Sequence, residues 1–192
     1  MKSYRQIWIA LYLIASFFLT DCRKKSSLPH YPIGGDFTLT DYNGKKFALK
    51  DAGGKPVLIF FGYTNCPDAC PTILSRLRNL KSKMGSAFDG VEILFITVDP
   101  ERDTPDKLKK FLTFFQSGVR GLYGNSKETA DVVKLYGVYH NKRDTGSRSG
   151  YSVDHTTTLF VLDKKGEVRY LFRYADDERS LIPVLTLLME EK

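Results

Sequence analysis

The sequence predicts an α/β protein in which helices flank a central mixed sheet. Two apolar runs, 57–61 and 91–98, are short enough to be buried strands, and each is followed by apolar residues at helical spacing. Alternating apolar and polar segments near both ends of the same region predict hairpins. Strands that alternate with helices and end in an antiparallel hairpin form a mixed sheet, and 192 residues suit one domain with appendages.

Residues 1–22 are expected to act as an export signal or membrane anchor. Lys2 precedes the uncharged apolar segment 7–19, which is shorter than the ~20 residues of a typical membrane-spanning helix. Leu19 to Cys22 resembles a bacterial lipoprotein signal, in which the cysteine is lipidated after cleavage, although Asp21 replaces the usual small residue. An uncleaved anchor and a signal cleaved without lipidation remain alternatives.

Residues 23–35 are expected to be a flexible tether, because they combine Lys, Ser, Pro and Gly without apolar periodicity. The folded domain is then 36–192. All three interpretations of the N-terminus place this domain outside a bacterial cytoplasm, in the periplasm or on the outer side of the cytoplasmic membrane. If Cys22 carries lipid, the domain keeps one pair of cysteines in a compartment that tolerates disulfides.

An N-terminal hairpin and a helix flank the first buried strand. Segments 37–39 and 47–49 alternate around Asn43-Gly44, a strong hairpin signal, and we expect this hairpin at one edge of the sheet. After the first strand a helix is predicted over 71–84. The later predicted elements are a strand at 91–98 ending in a turn at 99–103, a helix after Thr104, a short strand at 119–123, a helix from Ser126 to Gly137, a hairpin of 156–162 and 167–173, and a helix at 180–190.

This order of elements is typical of a thioredoxin-like sandwich with an N-terminal hairpin extension. One segment, 138–150, is rich in Lys, Arg, Ser and Gly, and no feature of its sequence indicates order. A loop of this length is unusual in a compact domain and indicates mobility or function. The turn at 99–103 follows a strand, where sites in α/β sheets often lie.

Cys66 and Cys70 lie between the first buried strand and the next helix. Pro71 lacks an N–H and disfavours the α conformation at Cys70, so we expect Cys70 to cap the helix and Cys66 to lie in the preceding loop. Both sulfurs then lie near the positive end of the helix dipole. That environment favours the thiolate, which is both the nucleophile and the metal ligand.

Three interpretations of the cysteine pair follow. A structural disulfide closes too small a loop to contribute much stability through chain entropy. A redox-active pair resembles Cys-x-x-Cys oxidoreductases, although here three residues intervene. A metal site with two thiolates and one imidazole suits Cu(I), whereas structural zinc needs a fourth ligand. A peroxidase would need an activating arginine, and none can be placed from the sequence.

His155 is the best candidate for the imidazole. His30 lies in the tether and His140 in the weakly ordered segment, whereas His155 precedes a core strand, at a loop that faces the cysteine pair in thioredoxin-like folds. Asp154 is a candidate acceptor that would orient the imidazole. A solvated loop carboxylate is an equally good interpretation of Asp154.

The chain resembles the Sco (SenC/PrrC) family of copper-binding thioredoxin-like proteins. The resemblance spans 34–162 and rests on three blocks in order, at 62–71, 95–105 and 151–155. It implies that Cys66, Cys70 and His155 bind one copper ion, as Cu(I) with Cu(II) left open. It also implies a role at the dinuclear copper centre of cytochrome c oxidase, either supplying copper or reducing the cysteines of that centre.

The leading hypothesis is a membrane-anchored copper chaperone, with a thiol-disulfide oxidoreductase using Cys66 and Cys70 as the alternative. Expected partners are the copper-centre subunit of the oxidase, a periplasmic copper donor or thioredoxin-like reductant, and the membrane through the N-terminal anchor. Nucleic acid is not expected. The net charge of +7 is dispersed, and no stripe combines stacking aromatics with Lys and Arg.

Overall fold

The computed structural model describes residues 28–147 and 150–191. The predicted signal or anchor at 1–22, with Cys22, therefore lies outside the described residues. The strands are β1 (Thr38–Asp41), β2 (Lys46–Ala48), β3 (Val57–Gly62), β4 (Glu92–Thr97), β5 (Arg120–Tyr123), β6 (His140–Ser147), β7 (Gly150–His155), β8 (Leu159–Leu162) and β9 (Val168–Phe172). The helices are α1 (Ala69–Met84), α2 (Pro105–Phe114), α3 (Ser126–Leu135) and α4 (Leu181–Glu190).

Seven of these strands form one mixed sheet in the order β2-β1-β5-β4-β3-β8-β9. At its centre β3 pairs in parallel with β4 and antiparallel with β8, and every residue of β3 is buried. A strand covered on both faces needs apolar side chains on both, which explains the continuous apolar run. The predicted mixed sheet is confirmed, with the N-terminal hairpin of β1 and β2 at one edge.

Helix α1 begins at Ala69, with Asp68 as its N-cap, two residues before the predicted start. Pro71 is thus the third residue of the helix. The first four N–H groups of a helix have no partner within it, so a proline there breaks no hydrogen bond. Cys70 therefore lies inside the first turn rather than capping it. Similarly α3 is capped by Asn125, whose side chain accepts from the Glu128 N–H at 2.9 Å, and not by Ser126.

The segment 138–150, expected to be weakly ordered, contains most of an antiparallel ribbon. Strands β6 and β7 pair from His140 opposite His155 to Ser147 opposite Gly150. The residues from His140 to Gly146 are all exposed, and Val153 is the buried residue of β7. Because one strand of the ribbon has no apolar face, its sequence lacks the alternation that predicts a strand.

Residues 28–35, expected to belong to the tether, pack on the domain. The Tyr31 N–H donates to the Val168 carbonyl at 3.0 Å, and the Gly34 N–H donates to the Leu135 carbonyl at 2.9 Å. Leu28, Tyr31 and Ile33 also contact the core. We call residues 28–35 the N-terminal strap. Packed structure thus begins before Asp36.

The strap reaches the sheet at the end remote from the cysteines. Val168 pairs with Leu162, which pairs with Val57 at the beginning of β3, whereas the cysteine loop follows Gly62 at the end of β3. At 3.2–3.4 Å per residue these two ends of β3 lie about 17 Å apart. Among the residues described, no helix has the length and apolar character to cross a membrane.

Candidate metal centre

The cysteine loop lies at the carboxyl end of β3. Cys66 is 8% exposed and Cys70 is fully buried, and both thiols are free. The Cys66 N–H donates to the Tyr63 carbonyl at 3.2 Å, and the Cys70 N–H donates to the Cys66 sulfur at 3.4 Å. A Cβ atom at Gly62 would lie 2.6 Å from the Cys70 sulfur, so only glycine fits beneath the pair.

The two thiols differ in acidity. The side-chain hydrogen bond with Cys70 holds the pKa of Cys66 well below its ordinary value, with a further contribution from His155. Burial, together with that same hydrogen bond, raises the pKa of Cys70. These directions favour the thiolate at Cys66 and the protonated thiol at Cys70. Cys70 then gives up its proton when it binds a metal ion or attacks an electrophile.

His155, the last residue of β7, faces the pair. Its Nε2 lies 3.8 Å from the Cys70 sulfur, and its Nδ1 lies 2.9 Å from the Thr156 carbonyl oxygen. A carbonyl can only accept, so Nδ1 carries the proton and Nε2 presents its lone pair to the sulfurs. The imidazole edge also packs against the rings of Phe60 and Tyr63, with centroids 6.1 and 5.7 Å away.

These three side chains form a set of donors that fits a soft metal ion. The two sulfurs and one imidazole nitrogen all lie within 4.8 Å of one another. In the described part of the chain no other group of three or more His, Cys, Asp or Glu side chains has this arrangement. Two thiolates with an imidazole suit Cu(I), while a structural zinc site would need a fourth ligand that the group does not contain.

Asp154 does not occupy the position expected of it. Its carboxylate lies 3.6 Å from the Arg143 guanidinium, on an exposed part of the ribbon, and the hydrogen bond that orients His155 comes from the Thr156 carbonyl. Successive side chains of a strand point to opposite faces, so the residue beside a ligand in sequence points away from it. Of the two interpretations of Asp154, the solvated carboxylate therefore fits the structure, and the role of orienting the imidazole is corrected.

The other two histidines lie outside the three-donor group. His30 belongs to the N-terminal strap, and its Nε2 lies 3.4 Å from Glu167 at the remote end of the sheet. His140 begins β6 and lies directly opposite His155 in the ribbon, with its side chain exposed.

Three side chains that the sequence did not single out hold the ribbon against the sheet: Asp99, Arg102 and Tyr151, here called the ribbon clamp. The Tyr151 hydroxyl donates to the buried Asp99 carboxylate at 2.7 Å. Arg102 donates to the same carboxylate at 2.5 Å and to the Tyr151 carbonyl at 2.7 Å, with its guanidinium 3.6 Å above the Tyr151 ring. Burial, with the Asp99 hydrogen bond, raises the pKa of Tyr151 to about 12.

A second carboxylate ties the cysteine loop to β4. Asp103 accepts from the Thr64 hydroxyl at 2.5 Å and from the Thr97 hydroxyl at 2.6 Å, and also from the Thr64 N–H. Burial raises its pKa. In the sequence, Asp99 and Asp103 are marked only by their place in a turn at the end of a strand and in the 95–105 block that carries the family resemblance. That signal locates a site without assigning a role to each residue.

Comparison with known proteins gives consistent results. A sequence model of the SCO1/SenC family matches residues 25–190. The mitochondrial protein SCO2 of Saccharomyces cerevisiae is 39% identical over 153 residues, which cover 78% of this chain and 50% of that protein. The human mitochondrial SCO1 homologue is 34% identical, over 70% of this chain and 46% of that protein. The chain thus spans about half the length of these relatives.

Solved structures resemble the chain over most of its length. The copper-bound structure of ScoI from Bradyrhizobium japonicum is 41% identical with a TM-score of 0.75, covering 81% of this chain and 99% of that one. Copper-bound yeast Sco1 is 32% identical with a TM-score of 0.74, covering 83% of this chain and 90% of that one. The predicted thioredoxin-like fold class is therefore confirmed.

Proposed function

Because the chain belongs to the SCO1/SenC family, we propose that it is a membrane-anchored copper chaperone for the dinuclear copper centre of cytochrome c oxidase. It binds one copper ion through Cys66, Cys70 and His155. The observation that carries the proposal is the approach of these three donor atoms to within 4.8 Å. The copper-bound state of two similar structures supports the choice of metal. The target comes from the family resemblance alone.

The different exposure of the donors suits a cargo that must enter and leave. Cys66 is the less buried and the more acidic thiol, so it is the first sulfur to meet an incoming Cu(I) ion. Cys70 then loses its proton as the metal binds, and Nε2 of His155 completes the site. In delivery, a thiolate of the partner replaces these donors one at a time, so that copper is never released as a free ion.

Anchoring is part of the proposal and rests on the sequence. The apolar segment 7–19 and the lipoprotein-like Cys22 would hold the domain at the outer side of the cytoplasmic membrane. Residues 23–27 and the N-terminal strap connect this anchor to the sheet.

Anaerobic titration of the reduced full-length protein with Cu(I), against a competing chelator, tests the site. We expect one equivalent bound tightly, and loss of that equivalent in Cys66→Ser, Cys70→Ser and His155→Ala. Cys22→Ser is the matched thiol control and should bind like the wild type. Tight binding that survives Cys66→Ser would contradict the proposal.

The unequal acidity of the two thiols supports a second candidate function, that of a thiol-disulfide reductase. In that reaction the Cys66 thiolate attacks a disulfide of the partner, and one partner sulfur leaves as a thiolate. Cys70 then loses its proton and attacks Cys66 in the mixed disulfide, which releases the second partner thiolate. Two electrons pass to the partner, and Cys66 and Cys70 become a disulfide.

His155 separates the two functions in cells. A reductase needs only the cysteines, so His155→Ala should preserve oxidase assembly if reduction is the role, while Cys66→Ser abolishes it. A chaperone needs all three donors, so both variants should lose assembled oxidase together. The readout is the copper content and the spectrum of the assembled oxidase in a strain that carries each variant.

A further inference from the structure

We propose that His140 is a fourth donor that joins Cys66, Cys70 and His155 when the bound ion is Cu(II), but not when it is Cu(I). The inference rests on the proposed copper site and concerns a residue outside the three-donor group. It starts from the juxtaposition of two histidines across the ribbon. His140 begins β6, His155 ends β7, and the two are direct partners in the register.

The hydrogen bonds beside this pair show that His140 and His155 lie close together. The Thr156 N–H donates to the Tyr139 carbonyl at 3.0 Å, and the Tyr139 N–H donates to the Thr156 hydroxyl at 3.0 Å, so hydrogen bonds join Tyr139 and Thr156 across the ribbon. Antiparallel pairs alternate, which makes His140 and His155 a non-hydrogen-bonded pair with Cα atoms about 4.5 Å apart and side chains on one face of the ribbon. The face that carries His155 towards the sulfurs therefore also carries His140.

His140 is available to bind a metal ion. Its side chain is exposed, and within residues 28–147 and 150–191 its imidazole makes no hydrogen bond or ion pair. The imidazole of His155 is held by Thr156 and by two aromatic rings, whereas that of His140 has no hydrogen bond or ring contact with the described residues. Exposed side chains change rotamer within nanoseconds, so His140 can turn towards the site without any change in the backbone.

The oxidation state decides whether this fourth donor is needed. Soft thiolates with one imidazole satisfy Cu(I), but Cu(II) prefers a tetragonal arrangement that includes nitrogen or oxygen donors. Three polar groups beside His155 already have partners of their own. The Tyr63 hydroxyl accepts from the Val153 N–H, the Thr156 carbonyl accepts from His155, and Asp154 lies beside Arg143.

Paramagnetic resonance of the full-length protein loaded with Cu(II) tests the inference, because coupling to nitrogen counts the bound imidazoles. With ¹⁵N-labelled histidine we expect two coupled imidazoles in the wild type and one in His140→Ala. His30→Ala is the matched control, since it removes a histidine at the remote end of the sheet. We expect His140→Ala to weaken Cu(II) binding by about 10- to 100-fold and to leave Cu(I) affinity within about twofold.

Each other outcome overturns the inference in a recognisable way. Identical spectra of wild type and His140→Ala would show that His140 is not a ligand. Equal losses of Cu(I) and Cu(II) affinity would show that it acts in both states. If His155→Ala leaves both affinities unchanged, the proposed three-donor site itself fails, which is a different result from a failure at His140 alone.

Discussion

The two sides of the metal site are held by different forces. The cysteines follow β3, a strand whose every residue is buried, and Cys70 is anchored in the first turn of α1. His155 ends a ribbon in which one strand exposes every described side chain from His140 to Gly146. Apolar packing on both faces fixes the dithiol side, whereas the imidazole side is held by the ribbon clamp, by the buried Val153 and by the ring contacts of His155.

The two sides should also differ in the free energy that is needed to open them. Each large apolar side chain buried in the core contributes about 1.5–3 kcal/mol, while a single hydrogen bond adds about 0.5–1.5 kcal/mol net. We therefore expect the ribbon to open at a lower free energy than the sheet. A site built in this way keeps its two sulfurs in place while the third donor moves, and the following experiments test that asymmetry.

The largest expected effect lies within the dithiol side, in the reactivity of its two sulfurs. The lowered pKa of Cys66 keeps its thiolate as the pH falls from about 8 to about 6, so its alkylation rate should change little. The raised pKa of Cys70 keeps that thiol protonated throughout. Site-resolved mass spectrometry should find that Cys66 is alkylated more than about 100-fold faster than Cys70 near pH 6.

Free cysteine in the same reaction is the control for pH. Its thiolate fraction, and hence its rate, falls about tenfold per pH unit below its pKa. If Cys66 follows the same slope, its thiolate is not stabilised by the loop.

Gly62→Ala should disrupt the dithiol side directly. The new Cβ would lie 2.6 Å from the Cys70 sulfur and 2.8 Å from the Phe95 ring, both of which are fully buried. Overpacking of this kind costs about 1–3 kcal/mol, so the Tm should fall by about 3–10 °C and Cu(I) should bind more weakly. Gly90→Ala is the control, because its nearest neighbour is the flexible Met189 sulfur at 3.3 Å. Equal Tm values for the two variants would contradict the prediction.

Tyr151→Phe should loosen the imidazole side alone. It removes the hydroxyl that donates to the buried Asp99 carboxylate at 2.7 Å, which costs about 1–2 kcal/mol. Hydrogen exchange should accelerate in β6 and β7 and stay unchanged in β3. Tyr139→Phe removes an exposed hydroxyl just before the ribbon and serves as the control. Uniform acceleration across the sheet would mean that the ribbon and core do not open separately.

Lys142→Ala should have the smallest effect. Its ammonium lies 2.6 Å from Glu101 and 4.9 Å from the Tyr151 ring, but the ion pair is solvent-exposed and screened by salt. We expect a change in Tm of about 1 °C or less at physiological ionic strength. Lys127→Ala, which removes a comparable exposed pair with Asp131 on α3, is the matched control. If Lys142→Ala lowered the Tm more than Tyr151→Phe does, the exposed ion pair rather than the ribbon clamp would be the main support of the ribbon.

The dithiol side of the site could be predicted from the sequence more fully than the imidazole side. Apolar periodicity, together with Pro and Gly at the ends of elements, marks the buried strands, the helices and the cysteine junction. The fold class could therefore be predicted. The ribbon could not be predicted, because β6 is polar throughout and lacks alternation. The role of Asp154 was inferred from its place beside His155, yet neighbours along a strand point apart. The ribbon clamp joins Asp99 and Arg102 to Tyr151, about fifty positions away, and only the folded chain brings them together.

The N-terminal strap and the metal donors lie towards opposite ends of β3. The strap meets the sheet at the beginning of β3, and the donors lie beyond its end, about 17 Å away. Five residues, 23–27, separate Cys22 from Leu28, and an extended chain of this length spans at most about 20 Å. If Cys22 is lipidated as proposed, the strap would lie nearer the bilayer than the three donors, which could reach up to about 40 Å above the membrane. A membrane-bound partner would then meet the site with a part that projects to the same height.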